Sequence, residues 1–130
     1  MVKLGYTILY VQDVTKSIEF YESVFGFQRK FITPENDYGE LLTGETTLSF
    51  ASLELGHSNL SKGFLASNPA DLPFGVELAL VTDRVEEIIS QAVKYGATIV
   101  EQPKQKTWGQ LVGYIRDLNG FLLEICTPIN

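Results

Sequence analysis

The sequence is poor in the residues that most often announce a site: its 130 residues include one cysteine (Cys126), one histidine (His57) and one tryptophan (Trp108). A single cysteine makes no internal bridge, which excludes a disulfide scaffold and a cysteine-rich zinc module. Basic runs are also missing, the longest being Arg29-Lys30, and 16 acidic against 10 basic side chains leave a formal charge of -6. Such a chain repels phosphate backbones, so no nucleic-acid partner is expected. No apolar stretch approaches the ~18 to 20 residues that span a bilayer. The opening Met1-Val2-Lys3-Leu4-Gly5-Tyr6 lacks the apolar middle of a signal peptide. A cytoplasmic protein without membrane contact is expected. Phosphate-binding glycine loops, a Ser/His/Asp set and nucleotide fingerprints are likewise absent.

What is present suits one compact domain over residues 1–130. Hydrophobic residues make up 45% and aromatic ones 12%, and at this length folding buries roughly two-thirds of the unfolded surface, a sufficient core without metal or disulfides.

The same order of elements is written twice. Residues 4–11 are β-branched and aromatic, as a strand is, and lead into apolar positions Val14, Ile18, Tyr21 and Phe25 at helical spacing. Asp13 is placed to cap that helix, over about 14–25, and Gly26 to end it. Later, 76–81 reads as a strand, Asp83 with Glu86 as a capping box, and Val85, Ile88, Ile89, Ala92 and Val93 as a helix stripe before Gly96. Three strands follow each helix, near 27–33, 38–43 and 47–53, then near 97–102, 110–116 and 121–126. Their turns are Pro34-Glu35-Asn36-Asp37, Gly44-Glu45, Pro103-Lys104 and Asp117-Leu118-Asn119-Gly120. The expected fold is α+β: two tandem βαβββ modules, about 1–56 and 74–130, with a connector about 57–73. They are expected to form a curved mixed sheet with an open concave cleft and helices on the outer face, because one apolar stripe covers only one sheet face.

These modules, the opening Tyr-Val-Gln-Asp-Val-Thr-Lys-Ser-Ile-Glu-Phe-Tyr-Glu-Ser-Val-Phe-Gly-Phe (10–27) and the closing Tyr-Ile-Arg-Asp-Leu-Asn-Gly-Phe-Leu-Leu-Glu-Ile (114–125), resemble the glyoxalase/bleomycin-resistance/extradiol-dioxygenase, or vicinal oxygen chelate, superfamily. The resemblance implies either a divalent metal held by His and Glu from the first and last strands of each module, or a metal-free protein that binds and sequesters a small molecule. It also implies a homodimer. The ligand positions fall on Tyr6, on or near Ser49, on Glu77 and on Glu124. Only Glu124 matches the metal-binding pattern; Tyr6 and Glu77 stand where His is common.

Those departures shape the functional expectation. A phenol with a reference pKa of about 10 and a serine hydroxyl are poor ligands, while catalytic metals usually take three or four His and carboxylate donors. No metal is expected; if one binds, Glu77 and Glu124 hold it. The leading expectation is a protein binding a small, planar or aromatic molecule without a strong metal site. The alternatives are a divalent-metal lyase or isomerase, or a metal-free proton-transfer enzyme, using Glu77 and Glu124, and an accessory or regulatory interaction domain. Glu124 lies in an apolar strand, on the face of Leu122 and Cys126, and such a carboxyl must be hydrated, paired or coordinated. If Glu77 shares its floor, repulsion raises one pKa and makes a proton shuttle. Trp108 offers a stacking surface, with Gln110 and Tyr114 as orienting hydrogen-bond groups. Tyr6 and Tyr10 share a strand face and line the cleft, whereas Phe50 belongs to the core. Cys126 reads as a buried hydrophobe and His57 as a surface-loop residue. One register ambiguity stands: aligning the halves on Asp13 and Asp83 matches Glu77 to Thr7, not to Tyr6.

Overall fold

A computed structural model describes residues 1–129, which fall into two compact units, Met1–Ala66 and Ser67 onward. The first contains β1 (Tyr6–Val11), α1 (Val14–Phe25), β2 (Gln28–Ile32), β3 (Tyr38–Leu42), β4 (Thr47–Ser52) and α2 (Leu53–Asn59). The second contains β5 (Glu77–Val81), α3 (Val85–Lys94), β6 (Thr98–Gln105), β7 (Leu111–Arg116) and β8 (Leu122–Cys126). Each unit closes its own four-stranded mixed sheet, in the orders β1-β4-β3-β2 and β5-β8-β7-β6. The first strand pairs parallel with the last and the remaining pairs are antiparallel. The βαβββ repeat is therefore present in both units.

One close contact sets each helix on its sheet. A Cβ on Gly39 would lie 2.5 Å from Ile18 Cδ1, and one on Gly113 would lie 2.5 Å from Ile89 Cδ1. Each glycine sits on the middle strand and each isoleucine is five residues past its helix cap, so both helices approach at the same point. Around them pack Val14, Tyr21, Leu41 and Phe50 in the first unit and Val85, Ile115, Leu123 and Ile125 in the second, all buried. Phe50 is a core residue as expected, its ring 5.1 Å from Tyr21.

The first helix begins and ends as its sequence dictates. Asp13 accepts from the Lys16 N–H at 3.0 Å, and Gly26 takes the left-handed conformation, φ 72°. Asn36, itself left-handed at φ 57°, accepts from the Thr15 N–H at 3.0 Å and so ties the β2–β3 turn to the helix start.

The second helix corrects the sequence reading. Asp83 caps nothing: the cap position is Arg84, which makes no side-chain cap bond. The Thr82 hydroxyl instead accepts from the Arg84 N–H at 3.1 Å, a local turn that leaves Asp83 outside the helix. Glu86 and Glu87 in the first turn compensate the free N–H groups electrostatically.

Three further boundaries move. β6 runs through Pro103 to Gln105, so Pro103-Lys104 is not a turn; it is an edge strand with register shifts near Glu101, where proline's missing N–H is tolerated. The connector is not free chain. Its first part is α2, which carries His57 on a helix and not on a loop, and Phe64 packs on Tyr10 at 4.6 Å and on His57 at 4.5 Å. Its second part is held by Arg116, whose guanidinium donates to the carbonyls of Asn68 (3.1 Å), Pro69 (3.2 Å), Asp71 (2.5 Å) and Gly120 (2.9 Å). Asp117 beside it accepts from the Asn119 and Phe121 N–H groups, both at 2.9 Å. No helix is long and apolar enough to cross a membrane.

Gly39→Ala and Gly113→Ala are each expected to cost about 1–3 kcal/mol in urea unfolding, the usual penalty for overpacking. Adding Ile18→Val or Ile89→Val, which removes the Cδ1 atom in the way, should return part of that loss; no recovery would mean that the helix position is set elsewhere.

Candidate functional site

Strand pairing sorts side chains by face, since partners across a ladder point the same way. In the second unit Ala79 pairs with Glu124, which pairs with Tyr114, and Leu122 pairs with Glu77. Glu77, Glu124, Tyr114 and Cys126 thus share the face opposite α3, as the alternation around Glu124 implies. In the first unit Ile8 pairs with Ser49, which pairs with Glu40, and Tyr6 pairs with Thr47. The register resolves the ambiguity over Tyr6: it and Glu77 hold equivalent positions, each two residues before the partner of Ser49 or Glu124. The shifted cap at Arg84 explains the conflict, for the spacings from Tyr6 to Asp13 and from Glu77 to Arg84 are equal.

The two carboxyl groups of the second unit meet. Glu77 is an exposed residue, yet its carboxyl is held above the ordinary range, first by partial desolvation among its neighbours, then by its hydrogen bond to Glu124 and then by that group's charge. Repulsion was expected to lead; desolvation leads instead. The Tyr114 hydroxyl donates to Glu124 Oε1 at 2.9 Å. That bond, followed by burial and the charge of Glu124, pushes the phenol up to about 12. Cys126 is buried and, chiefly through desolvation, pushed up to about 11, so at neutral pH it is an inert thiol. Two carboxyl groups and a phenol therefore adjoin on the face opposite α3. They can accept a cation, bind a hydroxyl-rich group or move a proton.

A second pair lies at the β6–β7 turn. The Trp108 indole N–H donates to Gln110 Oε1 at 2.6 Å, and Gln110 Nε2 donates to the Thr127 carbonyl at 2.7 Å. Trp108 remains 63% exposed while Gln110 is only 9% exposed. Gln110 is thereby engaged within the protein, not turned outward.

The first unit has a polar group that the sequence did not suggest. Glu40 is 6% exposed, accepts from the Tyr38 hydroxyl at 2.6 Å and faces Lys30 Nζ at 3.5 Å. Ser49 Oγ is 3.0 Å from the same hydroxyl. Burial and the bond to Glu40 raise the Tyr38 pKa. The Tyr38-x-Glu40 alternation was the available signal, hidden because Glu40 sits beside Leu41 and Leu42. Tyr6 is exposed, whereas Tyr10 is half-buried under Phe64.

This donor set does not suit a divalent metal of the kind the resemblance implies. Tyr6 and Ser49 bring no strong donor, Glu77 and Glu124 share a hydrogen bond, and His57 is stacked on Phe64. Among the described residues no three His, Cys, Asp or Glu side chains converge as a metal site would need.

The family model described as Glyoxalase/Bleomycin resistance protein/Dioxygenase superfamily matches residues 3–125. The chain is 28% identical over 127 residues to Virulence protein STM3117 of Salmonella typhimurium, spanning 95% of this chain and 82% of that one. Its fold is similar to a glyoxalase/bleomycin resistance protein/dioxygenase family enzyme from Burkholderia phytofirmans, with TM-score 0.80, 22% identity and coverage of 97% of this chain and 98% of that one. A glyoxalase-related enzyme from Fulvimarina pelagi superposes with TM-score 0.81 at 18% identity, over 98% of this chain and 89% of that one. At such identities the two structures speak for the fold alone.

Folding tightens the proton on Glu77, so this group favours the native state below the ordinary carboxyl pKa. That contribution is lost as pH rises through the raised folded value. Glu77→Gln removes the term and keeps an amide donor toward Glu124. In urea unfolding from about pH 4 to about pH 8, the variant should gain on the parent as pH rises and then level off; a difference independent of pH would show that Glu77 titrates normally.

Proposed function

From membership of the Glyoxalase/Bleomycin resistance protein/Dioxygenase superfamily, to which this chain belongs, we propose that it is a binding protein for a small planar or aromatic organic molecule and works without a strong metal site. The observation that carries this is the adjoining Glu77 and Glu124 with Tyr114 on the face opposite α3, where no third metal donor converges among the described residues. A carboxyl pair with no cation of its own is a polar anchor for a cationic or hydrogen-bond-donating ligand, and the -6 charge attracts cations. Trp108 supplies a stacking face.

A second reading is favoured by the adjacency of the two carboxyl groups and the upward shift of Glu77. Glu124 as base and Glu77 as acid form a metal-free proton-transfer pair, with Tyr114 holding the base. Glu124→Gln separates the two: an enzyme loses turnover with its fold intact, whereas a binder loses affinity at most.

Ligand-induced stabilisation is the direct test, because a ligand at about one hundred times its Kd adds about 2.7 kcal/mol. Planar aromatic cations are expected to raise Tm, neutral isosteres less, and Glu124→Gln or Trp108→Ala should reduce the gain. No shift across the whole panel would overturn binding and favour an interaction domain. Elemental analysis of untagged protein, equilibrated with manganese, iron, cobalt, nickel or zinc, should find far less than one metal per chain. One equivalent that disappears in Glu77→Ala and Glu124→Ala would defeat the metal-free proposal.

Self-association belongs to the proposal. Ile8 is an exposed apolar residue on the first unit's face opposite α1, which supports a homodimer that leaves the Glu77–Glu124 face to the ligand. Sedimentation velocity should give a dimer mass, shifted toward monomer by Ile8→Lys; a monomer at all concentrations would refute this part.

A further inference from the structure

We propose that Gln110 is a positioning residue: its side-chain amide, anchored on the Thr127 carbonyl, holds the Trp108 indole in one pose as a preset stacking platform for a planar aromatic cation. This rests on the stacking role given to Trp108 above and extends it, because Gln110 acts through the indole and does not itself touch the ligand.

The amide has both of its ends engaged. Its oxygen takes the indole N–H and its nitrogen the Thr127 carbonyl, which satisfies a side-chain type that is seldom buried. Thr127 is fixed in turn: its N–H donates to the Leu111 carbonyl at 3.1 Å, and its hydroxyl accepts from the Leu111 N–H at 3.0 Å. The turn is braced from its other side too. Gly109 adopts φ 105°, its N–H donates to the Lys106 carbonyl at 3.0 Å, and the Lys106 N–H donates to the Gln110 carbonyl at 2.7 Å. The Gln105 side-chain amide donates to the Gly109 carbonyl.

All this bracing orders a ring that does little for the fold itself. Trp108 is 63% exposed, and among the described residues its ring stacks on no other aromatic. Freezing an exposed side chain costs entropy, and the gain goes to a partner that meets the ring already oriented. The polar edge is occupied by Gln110, so what remains for a ligand is the π face. Donation from the indole N–H polarises the ring toward that face, which favours a flat cation over a neutral or anionic aromatic.

Because Trp108 is the only tryptophan, its emission reports the pose directly. The test compares the parent with Gln110→Met, which keeps the side-chain length but makes neither bond, with Trp108→Phe and with the double variant. Steady-state anisotropy and acrylamide quenching are read on free protein, and affinity on the probe N-methylacridinium against neutral acridine. Gln110→Met should fold, lower the Trp108 anisotropy, increase quenching and weaken N-methylacridinium by roughly five-fold. The double variant should bind no more weakly than Trp108→Phe alone. Unchanged anisotropy and quenching in Gln110→Met would overturn the positioning role whatever the probe does. Additive losses in the double variant would overturn it as well, by making Gln110 a ligand contact. If parent protein binds neither probe, or Trp108→Phe binds as well as the parent, the stacking role fails; a loosened indole in Gln110→Met would then support the tether alone and overturn its use as a platform. Should Gln110→Met not fold, Gln110→Glu, which keeps the acceptor for the indole and loses the donor to Thr127, carries the same measurements.

Discussion

The approach of one helix isoleucine to one middle-strand glycine organises each unit. Ile18 over Gly39 and Ile89 over Gly113 leave no room for a Cβ between helix and sheet. With the helix so close, the residues directly beneath it, Leu41 and Phe50 in one unit and Ile115, Leu123 and Ile125 in the other, are apolar and buried, and period-two alternation delivers their neighbours to the opposite face. Leu123 and Ile125 are buried under α3, so Glu124 between them points away from it. The position of the carboxyl pair is thus a consequence of core packing on the other side of the strand.

Two copies of this frame carry different chemistry. In the first unit the buried carboxyl, Glu40, has its oxygens engaged by Tyr38 and Lys30, and Ser49 stands at the position equivalent to Glu124. In the second, Tyr114 takes the place equivalent to Glu40 and donates to Glu124, while Glu77 stands in place of Tyr6, both of them exposed. The tyrosine–glutamate bond recurs with its strands rearranged. Only the second unit adds a further carboxyl and no cation, and that is where the pKa shift of a carboxyl upward appears. Divergence inside a repeat has concentrated the unbalanced charge in one module.

What the sequence revealed was what local rules govern. Alternation in 122–126 placed Glu124 and Cys126 together, the Asp13 cap and Gly26 stop bounded α1, and turn chemistry found most strands. The errors arose where a neighbouring group outcompeted a familiar signal. Asp83 and Glu86 have the capping spacing, yet the Thr82 hydroxyl binds the Arg84 N–H and displaces the helix start. That shift alone obscured the equivalence of Tyr6 and Glu77. Pro103 reads as a turn residue until β6 is known to be an edge. Gln110 reads as a ligand contact until the distant Thr127 carbonyl is brought beside it, and the ordering of residues 68–71 depends on Arg116, more than forty positions away. Such long-range polar partners leave no periodic trace.

The distribution of cations in the second unit bears on why the carboxyl pair persists. Its one buried guanidinium, Arg116, lies on the same strand as Tyr114, two residues on, and therefore on the same face. It does not neutralise Glu124; it is consumed by four backbone carbonyls that order residues 68–71 and the following turn. Arg116 spends its guanidinium on carbonyls while Tyr114 donates to Glu124, so the stronger charge-assisted pairing of the two is not made. Packing alone does not require the pair, since a Gln at 77 would keep a donor toward Glu124 without the desolvation cost. Keeping a second ionisable group there lowers stability above the ordinary carboxyl pKa. The cationic or hydrogen-bond-donating ligand proposed for this face would offset that cost by meeting the carboxyl pair with a matching group.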